Sequence, residues 1–244
     1  MLRKTAIITG GFGDIGKATA KKFAQNGYNI ALTYLNTFDA EFVHELKNFD
    51  IDVLALSCDQ TKESDIINFI NSVYTEFDYI DTAVLCAAKS EDQLLLIERP
   101  TEKIDEILNT NIRGTILFCK ELGKRMLSDG HGSIEIVSSI MGQTGGSLEA
   151  VYSLSKAAIS NLAKSLAVEL SPKVRVNSVA PGFIKTKMTD CYSDETINII
   201  KSETPLERIG NPEDVANTIY FLASDESSFI TGSEINVSGG VIQF

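Results

Sequence analysis

Histidine and cysteine are scarce in this chain, and their scarcity removes whole classes of chemistry. His44 and His131 are the two imidazoles, and Cys58, Cys86, Cys119 and Cys191 are scattered without a Cys-x-x-Cys spacing. No metal is expected from that set, and the thiols are read as reduced. Long apolar runs are missing too. Leu94 to Ile97 and the segment around Val174 to Pro181 are among the longest, far short of the ~20 residues of a membrane helix. Basic character is lacking as well: 22 Lys and Arg face 33 Asp and Glu, for a net charge of -11. A general nucleic-acid surface is thereby excluded, because phosphates need clustered cations. Met1-Leu2-Arg3-Lys4 leads directly into a strand pattern, so a cytoplasmic protein without a signal peptide is expected.

What is present is an alternation of strand and helix patterns. Thr5 to Thr9, Tyr28 to Tyr34, Ile51 to Ser57, Asp81 to Cys86, Ser133 to Ser138, Val174 to Ala180 and Glu234 to Val237 read as strands. Between them, helical spacing runs through Asp39 to Asn48, Glu63 to Phe77, Glu102 to Leu127 as one helix or two, Val151 to Leu170 and Glu213 to Ala223. The pattern weakens from Met188 to Gly210. No linker, repeat or low-complexity tract interrupts the series, so residues 1–244 are read as one α/β domain with a doubly wound parallel sheet, helices on both faces.

Two stretches carry chemistry. After the first strand comes Gly10-Gly11-Phe12-Gly13-Asp14-Ile15-Gly16, opening a helix. Glycines there permit a tight turn and close backbone approach to a pyrophosphate, with the helix N-terminus offering unpaired N–H groups. The second stretch is Tyr152-Ser153-Leu154-Ser155-Lys156. Residues four apart share a helix face, so an ammonium can lower the pKa of a phenol that has to give up a proton near neutral pH.

With Ser139 thirteen residues before Tyr152 and Asn111 in Asn111-Ile112-Arg113-Gly114, the chain resembles the short-chain dehydrogenases/reductases over nearly its whole length. The resemblance implies a Rossmann-type fold and a tetrad in which Tyr152 protonates the carbonyl oxygen and Ser139 holds it. Lys156 would lower the Tyr152 pKa and bind the nicotinamide ribose, and Asn111 would order a relay water. Adjacent Ser138 is the alternative serine, disfavoured by its spacing to Tyr152. The resemblance further implies cofactor contacts from Gly10, Phe12, Asp14, Ile15, Gly16, Asn36, Asp59 and Ala87, from Tyr152 and Lys156, and from Pro181, Gly182, Ile184 and Thr186. Asp59 would hold the adenine amino group, although a turn or helix-cap role also suits it.

Departures from the family pattern matter. Asp14 stands where the family has its middle glycine, and a carboxylate near a diphosphate is unfavourable unless it turns away. Leu85-Cys86-Ala87-Ala88 replaces Asn-Asn-Ala-Gly, so the bonds those asparagines make need substitutes. Tyr34-Leu35-Asn36-Thr37 offers no acid to select the free ribose of NAD(H), which favours NADP(H).

Glu91 to Leu96 and Pro205 to Asp214 resemble β-ketoacyl-acyl carrier protein reductases within the family. They imply 3-oxoacyl thioester reduction, possible docking of an acyl carrier protein and a homotetramer. Another small alcohol, sugar or ketone is the enzymatic alternative, and a non-catalytic cofactor-binding regulator the alternative from another class. An acidic carrier would need local cations, for which Arg113, Lys120, Lys124, Arg125, Lys173 and Arg175 are candidates. Small residues in Ser153 to Leu170 and the apolar Val241-Ile242-Gln243-Phe244 suit subunit contacts.

Overall fold

Four β-branched residues in five, all buried, make β1 (Thr5–Thr9) a strand suited to the middle of a sheet covered on both faces. The computed structural model, which describes residues 3–190 and 192–241, places it there. Around it run β2 (Asn29–Tyr34), β3 (Val53–Ser57), β4 (Thr82–Leu85), β5 (Gly132–Val137), β6 (Val174–Pro181) and β7 (Glu234–Val237). All pair in parallel, in the order β3-β2-β1-β4-β5-β6-β7.

The helices are α1 (Asp14–Gln25), α2 (Ala40–Lys47), α3 (Glu63–Phe77), α4 (Thr101–Ile107), α5 (Thr115–Asp129), α6 (Met141–Thr144), α7 (Ala150–Glu169), α8 (Asp194–Glu203) and α9 (Pro212–Ala223). Strand periodicity assigns them to two layers. Ile7 packs with Phe69 and Ile70 of α3, Phe118 and Leu122 of α5 and Ile159 of α7. Its neighbours Ala6 and Ile8 face Phe23 of α1, Leu46 of α2 and Ile219 of α9. The strand order reverses between β1 and β4, which opens a crevice at the carboxyl ends of those strands.

The helical pattern from Glu102 to Leu127 resolves into two α-helices: α4 passes through a π-helical stretch, Leu108–Gly114, into α5. The weakly patterned Met188 to Gly210 segment holds α8, started by the Ser193 side chain accepting the Thr196 N–H at 3.2 Å. None of the α8 residues is buried, so no apolar stripe marks it in the sequence. Cys191 and residues 242–244 of the apolar C-terminal stretch lie outside the described residues, as do Met1 and Leu2.

Candidate active site

The crevice begins at the turn after β1. Gly10 has φ +62°, and a Cβ there would sit 3.0 Å from the Ala87 backbone. A Cβ on Gly16 would be 2.4 Å from the Gly10 carbonyl, so the first turn of α1 closes onto the glycine loop only because that carbon is missing. Gly13 is the N-cap of α1 and supplies no capping side chain. This cradle fits a dinucleotide pyrophosphate. The Asp14 carboxylate is engaged: its Oδ2 accepts the Lys187 N–H at 2.7 Å, from the turn beyond β6. Phe12 stacks on Tyr34 with ring centroids 5.4 Å apart. Ile15 is half-buried against the α1 side of the core.

Asn36 is exposed in the turn after β2, where positions 35–38 carry no acid. The next acid, Asp39, caps α2 through the Phe42 N–H at 3.0 Å and pairs with Lys17 at 2.5 Å. Asp59 accepts the N–H (3.0 Å) and hydroxyl (2.7 Å) of Thr61, which is the turn role open to any aspartate here. These bonds hold its carboxyl below the usual range.

At Ala87, the bonds left unmade by the missing asparagines have replacements. Thr9 Oγ1 accepts the Ala87 N–H at 3.0 Å, and buried Gln60 donates to the carbonyls of Ala87 (3.2 Å) and Thr110 (2.7 Å). Beyond β6, Pro181 ends the strand and Gly182 donates to Val237 at 3.0 Å, so close that a Cβ would meet Ser238 at 2.8 Å. Ile184 is buried and bridges Gly210, while Thr186 starts a short 3₁₀ turn through a capping box with Thr189.

Asn111 lies in the π-helical stretch and is buried. Its Oδ1 accepts the Lys89 N–H (2.7 Å), and its Nδ2 donates to the Lys89 carbonyl (2.9 Å) and to Ser155 Oγ (3.1 Å). Ser155 in turn donates to the Tyr152 carbonyl at 2.7 Å. The Asn111 side chain thus locks the loop after β4 to α7. Ser138 is occupied beneath α7, with its hydroxyl 3.1 Å from the Lys156 carbonyl and 2.6 Å from Ser160 Oγ. Ser139 is the serine whose side chain acts on Tyr152, drawing the phenol pKa down.

Burial sets the electrostatics of this cluster. The Lys156 ammonium donates to the Val137 carbonyl at 2.8 Å and stands 5.5 Å from the Tyr152 ring centroid. No carboxylate pairs with it among the described residues, and desolvation pushes its pKa down to about 8. The lowering of the Tyr152 pKa expected from Lys156 does not appear. Desolvation, then the Glu149 charge, push the phenol up to about 12, against a smaller opposing effect of Ser139. The phenol therefore carries its proton at neutral pH, as a donor must, but a pKa this high makes it a weak acid.

Sequence reasoning missed Gln60 and the Glu91–Tyr152 contact, whose partners lie 27 to 61 residues away, and the Lys17–Asp39 and Glu91–Arg99 pairs, which no local period marks. The basic candidates are largely engaged. Lys120 pairs with Glu63 and Glu121, and Lys124 with Glu121. Arg113 donates to Thr61, Arg125 to Asn71, and Arg175 to Ile230 and Ser224, while Lys173 is exposed. Among the described residues no helix is long and apolar enough to cross a membrane.

Comparison with known proteins adds to this geometry. The profile of a family described as Enoyl-(Acyl carrier protein) reductase matches residues 12–242. A Staphylococcus epidermidis protein named 3-oxoacyl-(acyl-carrier-protein) reductase FabG is 35% identical over 243 residues, covering 98% of this chain and 99% of that protein. Carbonyl reductase family member 4 of Xenopus laevis is 38% identical over 242 residues, 98% of each. Among solved structures, an NADPH-dependent 3-quinuclidinone reductase from Rhodotorula rubra superposes with a TM-score of 0.91 at 26% identity, over 98% of this chain and 91% of that one. An NAD+-bound xylitol dehydrogenase gives 0.90 at 25% identity, over 98% and 99%.

Proposed function

This chain belongs to the short-chain dehydrogenase/reductase family and is an NAD(P)-dependent oxidoreductase, and from that premise we propose that it reduces 3-oxoacyl thioesters carried on acyl carrier protein. The observation that carries the chemistry is the convergence of Ser139, Tyr152 and Lys156 beside the glycine cradle at the carboxyl ends of β1, β4 and β5. The bound cofactor supplies the hydride. Tyr152 delivers a proton to the carbonyl oxygen, and Ser139 Oγ holds that oxygen as charge develops on it. Lys156 would hold the nicotinamide ribose and, once the phenolate has formed, would stabilise it by its charge. Asn111 keeps the loop after β4 against α7 and holds the proton path to Lys156 in register. The cradle of Gly10, Phe12, Asp14, Ile15 and Gly16 would hold the pyrophosphate. Asp59 and Ala87 would serve the adenine side, and Pro181, Gly182, Ile184 and Thr186 the carboxamide side.

NADP(H) is the preferred cofactor in this reading, with Asn36 beside the 2′-phosphate. The acid-free turn at positions 35–38 supports the preference. A homotetramer is proposed on the apolar groove between α5 and α7, where Ile116 and Leu127 are exposed next to Leu162 and Leu166. A cytoplasmic location agrees with the free thiols of Cys58, Cys86 and Cys119.

The test is turnover of acetoacetyl-CoA, acetoacetyl carrier protein, a cyclic diketone and a pentose, each with NADPH and NADH. Reduction of the thioesters with NADPH is the expected result. Turnover of the diketone or sugar alone moves the assignment to the small-carbonyl reading, which the carbonyl reductase relative favours. Because Lys120 and Lys124 are already paired with carboxylates, carrier docking by those charges is weak, and a carrier-free thioester should serve nearly as well.

A further inference from the structure

Helix α7, which carries Tyr152 and Lys156, begins without a cap of its own. Its N-cap residue Glu149 makes no side-chain bond to the first turn, although the first N–H groups of a helix need partners. The Tyr152 N–H is instead met by Glu91, sixty-one residues earlier, whose Oε2 accepts it at 2.6 Å. The other carboxylate oxygen of Glu91 pairs with Arg99 Nε at 2.6 Å, and both side chains are 1% exposed. Arg99 then binds three backbone carbonyls, those of Asp92, Leu94 and Leu148. Leu148 has φ +66°, a left-handed conformation that a branched side chain adopts at a cost and keeps only when its surroundings hold it. The pair therefore clamps the loop after β4 and the turn before α7 together at the residue whose hydroxyl does the chemistry.

We propose that Glu91 and Arg99 are positioning residues, a buried strut that fixes the first turn of α7 and so sets where the Tyr152 hydroxyl stands relative to Ser139 and the substrate carbonyl. A purely stabilising ion pair would have no reason to end on the amide of the proton donor. Buried pairs contribute little net stability compared with well-packed apolar side chains, and their best-attested use is to select one arrangement among several. The strut rests on the reading of Tyr152 as proton donor, and it differs from the tetrad in touching neither substrate nor cofactor.

The decisive variant is the double replacement Glu91→Met/Arg99→Met, which keeps the volume apolar and removes the cap. It is expected to melt at or above the wild-type temperature and to bind NADPH within about twofold of wild type. Its kcat should fall about 100-fold with KM within about threefold, the scale of a displacement near 1 Å at a reacting group. A kcat within about threefold of wild type in that folded double variant overturns the proposal. If the double variant does not fold, Glu91→Gln decides. Its side chain offers one acceptor to two donors, so kcat should drop about tenfold with cofactor affinity kept, and an unchanged kcat overturns the strut. Amide hydrogen exchange at Tyr152 gives a readout that needs no turnover. The amide should be protected in the wild type and exchange freely in the double variant. Free exchange in the wild type sinks the strut, whereas protection together with absence of any ketone reduction sinks the functional reading and leaves the strut standing.

Discussion

Replacing Lys156 with methionine is expected to stabilise the protein while abolishing turnover. Lys156 is 3% exposed, and its ammonium is held by the Val137 carbonyl and faces no carboxylate among the described residues. Its pKa falls from 10.5 to about 8 on folding. Because the folded state resists charging, the penalty is fully present below about pH 8 and fades as the pH rises toward 10.5. At ~1.4 kcal/mol per pH unit, that penalty comes to about 3 kcal/mol at pH 7. Losing the bond to Val137 offsets about 1 kcal/mol of it. A net gain of about 2 kcal/mol remains, or about 4–8 °C in Tm for a chain of this size. The gap should narrow by about 1 kcal/mol at pH 9, where the wild-type ammonium is mostly neutral. Thermal and urea melts of both proteins at pH 7 and pH 9 test this. Effects of Cys58 and Cys119, whose thiols burial pushes up to about 12, cancel in the difference, whereas Cys86 feels the Lys156 charge and loses that influence in the variant. A variant less stable than wild type at pH 7, or a gap indifferent to pH, would refute the reasoning.

Three further outcomes are expected. Tyr152→Phe should lower kcat by about 10²–10⁴-fold while the NADPH dissociation constant stays within about twofold, and retention of a tenth of wild-type turnover would remove the phenol from its role. Asp14→Gly should release cofactor about five- to tenfold faster, since one hydrogen bond to the Lys187 amide is lost, whereas Asp14→Asn keeps an acceptor and should release near the wild-type rate. Tighter binding in both variants would mean that repulsion of the diphosphate dominates instead. Asn36→Asp should shift the NADPH-to-NADH ratio of kcat/KM at least about tenfold toward NADH, and an unaltered ratio would place the 2′-phosphate elsewhere.

Local pattern was legible in the sequence; contact across the chain was not. The glycine turn, the Tyr152 and Lys156 pair and the preference for Ser139 over Ser138 all follow from short spacings, and the structure brings these residues together. Gln60 could not be found that way, because what it replaces is a pair of asparagines after β4, and its partners are backbone carbonyls 27 and 50 positions away. Asp14 could be flagged as misplaced, yet its partner Lys187 lies 173 residues on. The pKa of Tyr152 was misjudged for a different reason. Spacing identifies a neighbouring charge but says nothing about the desolvation that, in this pocket, raises the phenol pKa.

The π-helical stretch between α4 and α5 acts as a phase shifter. An α-helix advances about 100° per residue, so one residue removed between Leu108 and Gly114 would turn α5 by about that angle against α4. Phe118, Leu122 and Met126 would swing out of the core together, and Asn111 would lose its grip on Lys89. Helicity would survive such a deletion while the core and the site would not. This part of the chain therefore tolerates exchange of residues far better than any change in their number, and variation in length has to be taken up in the exposed turns.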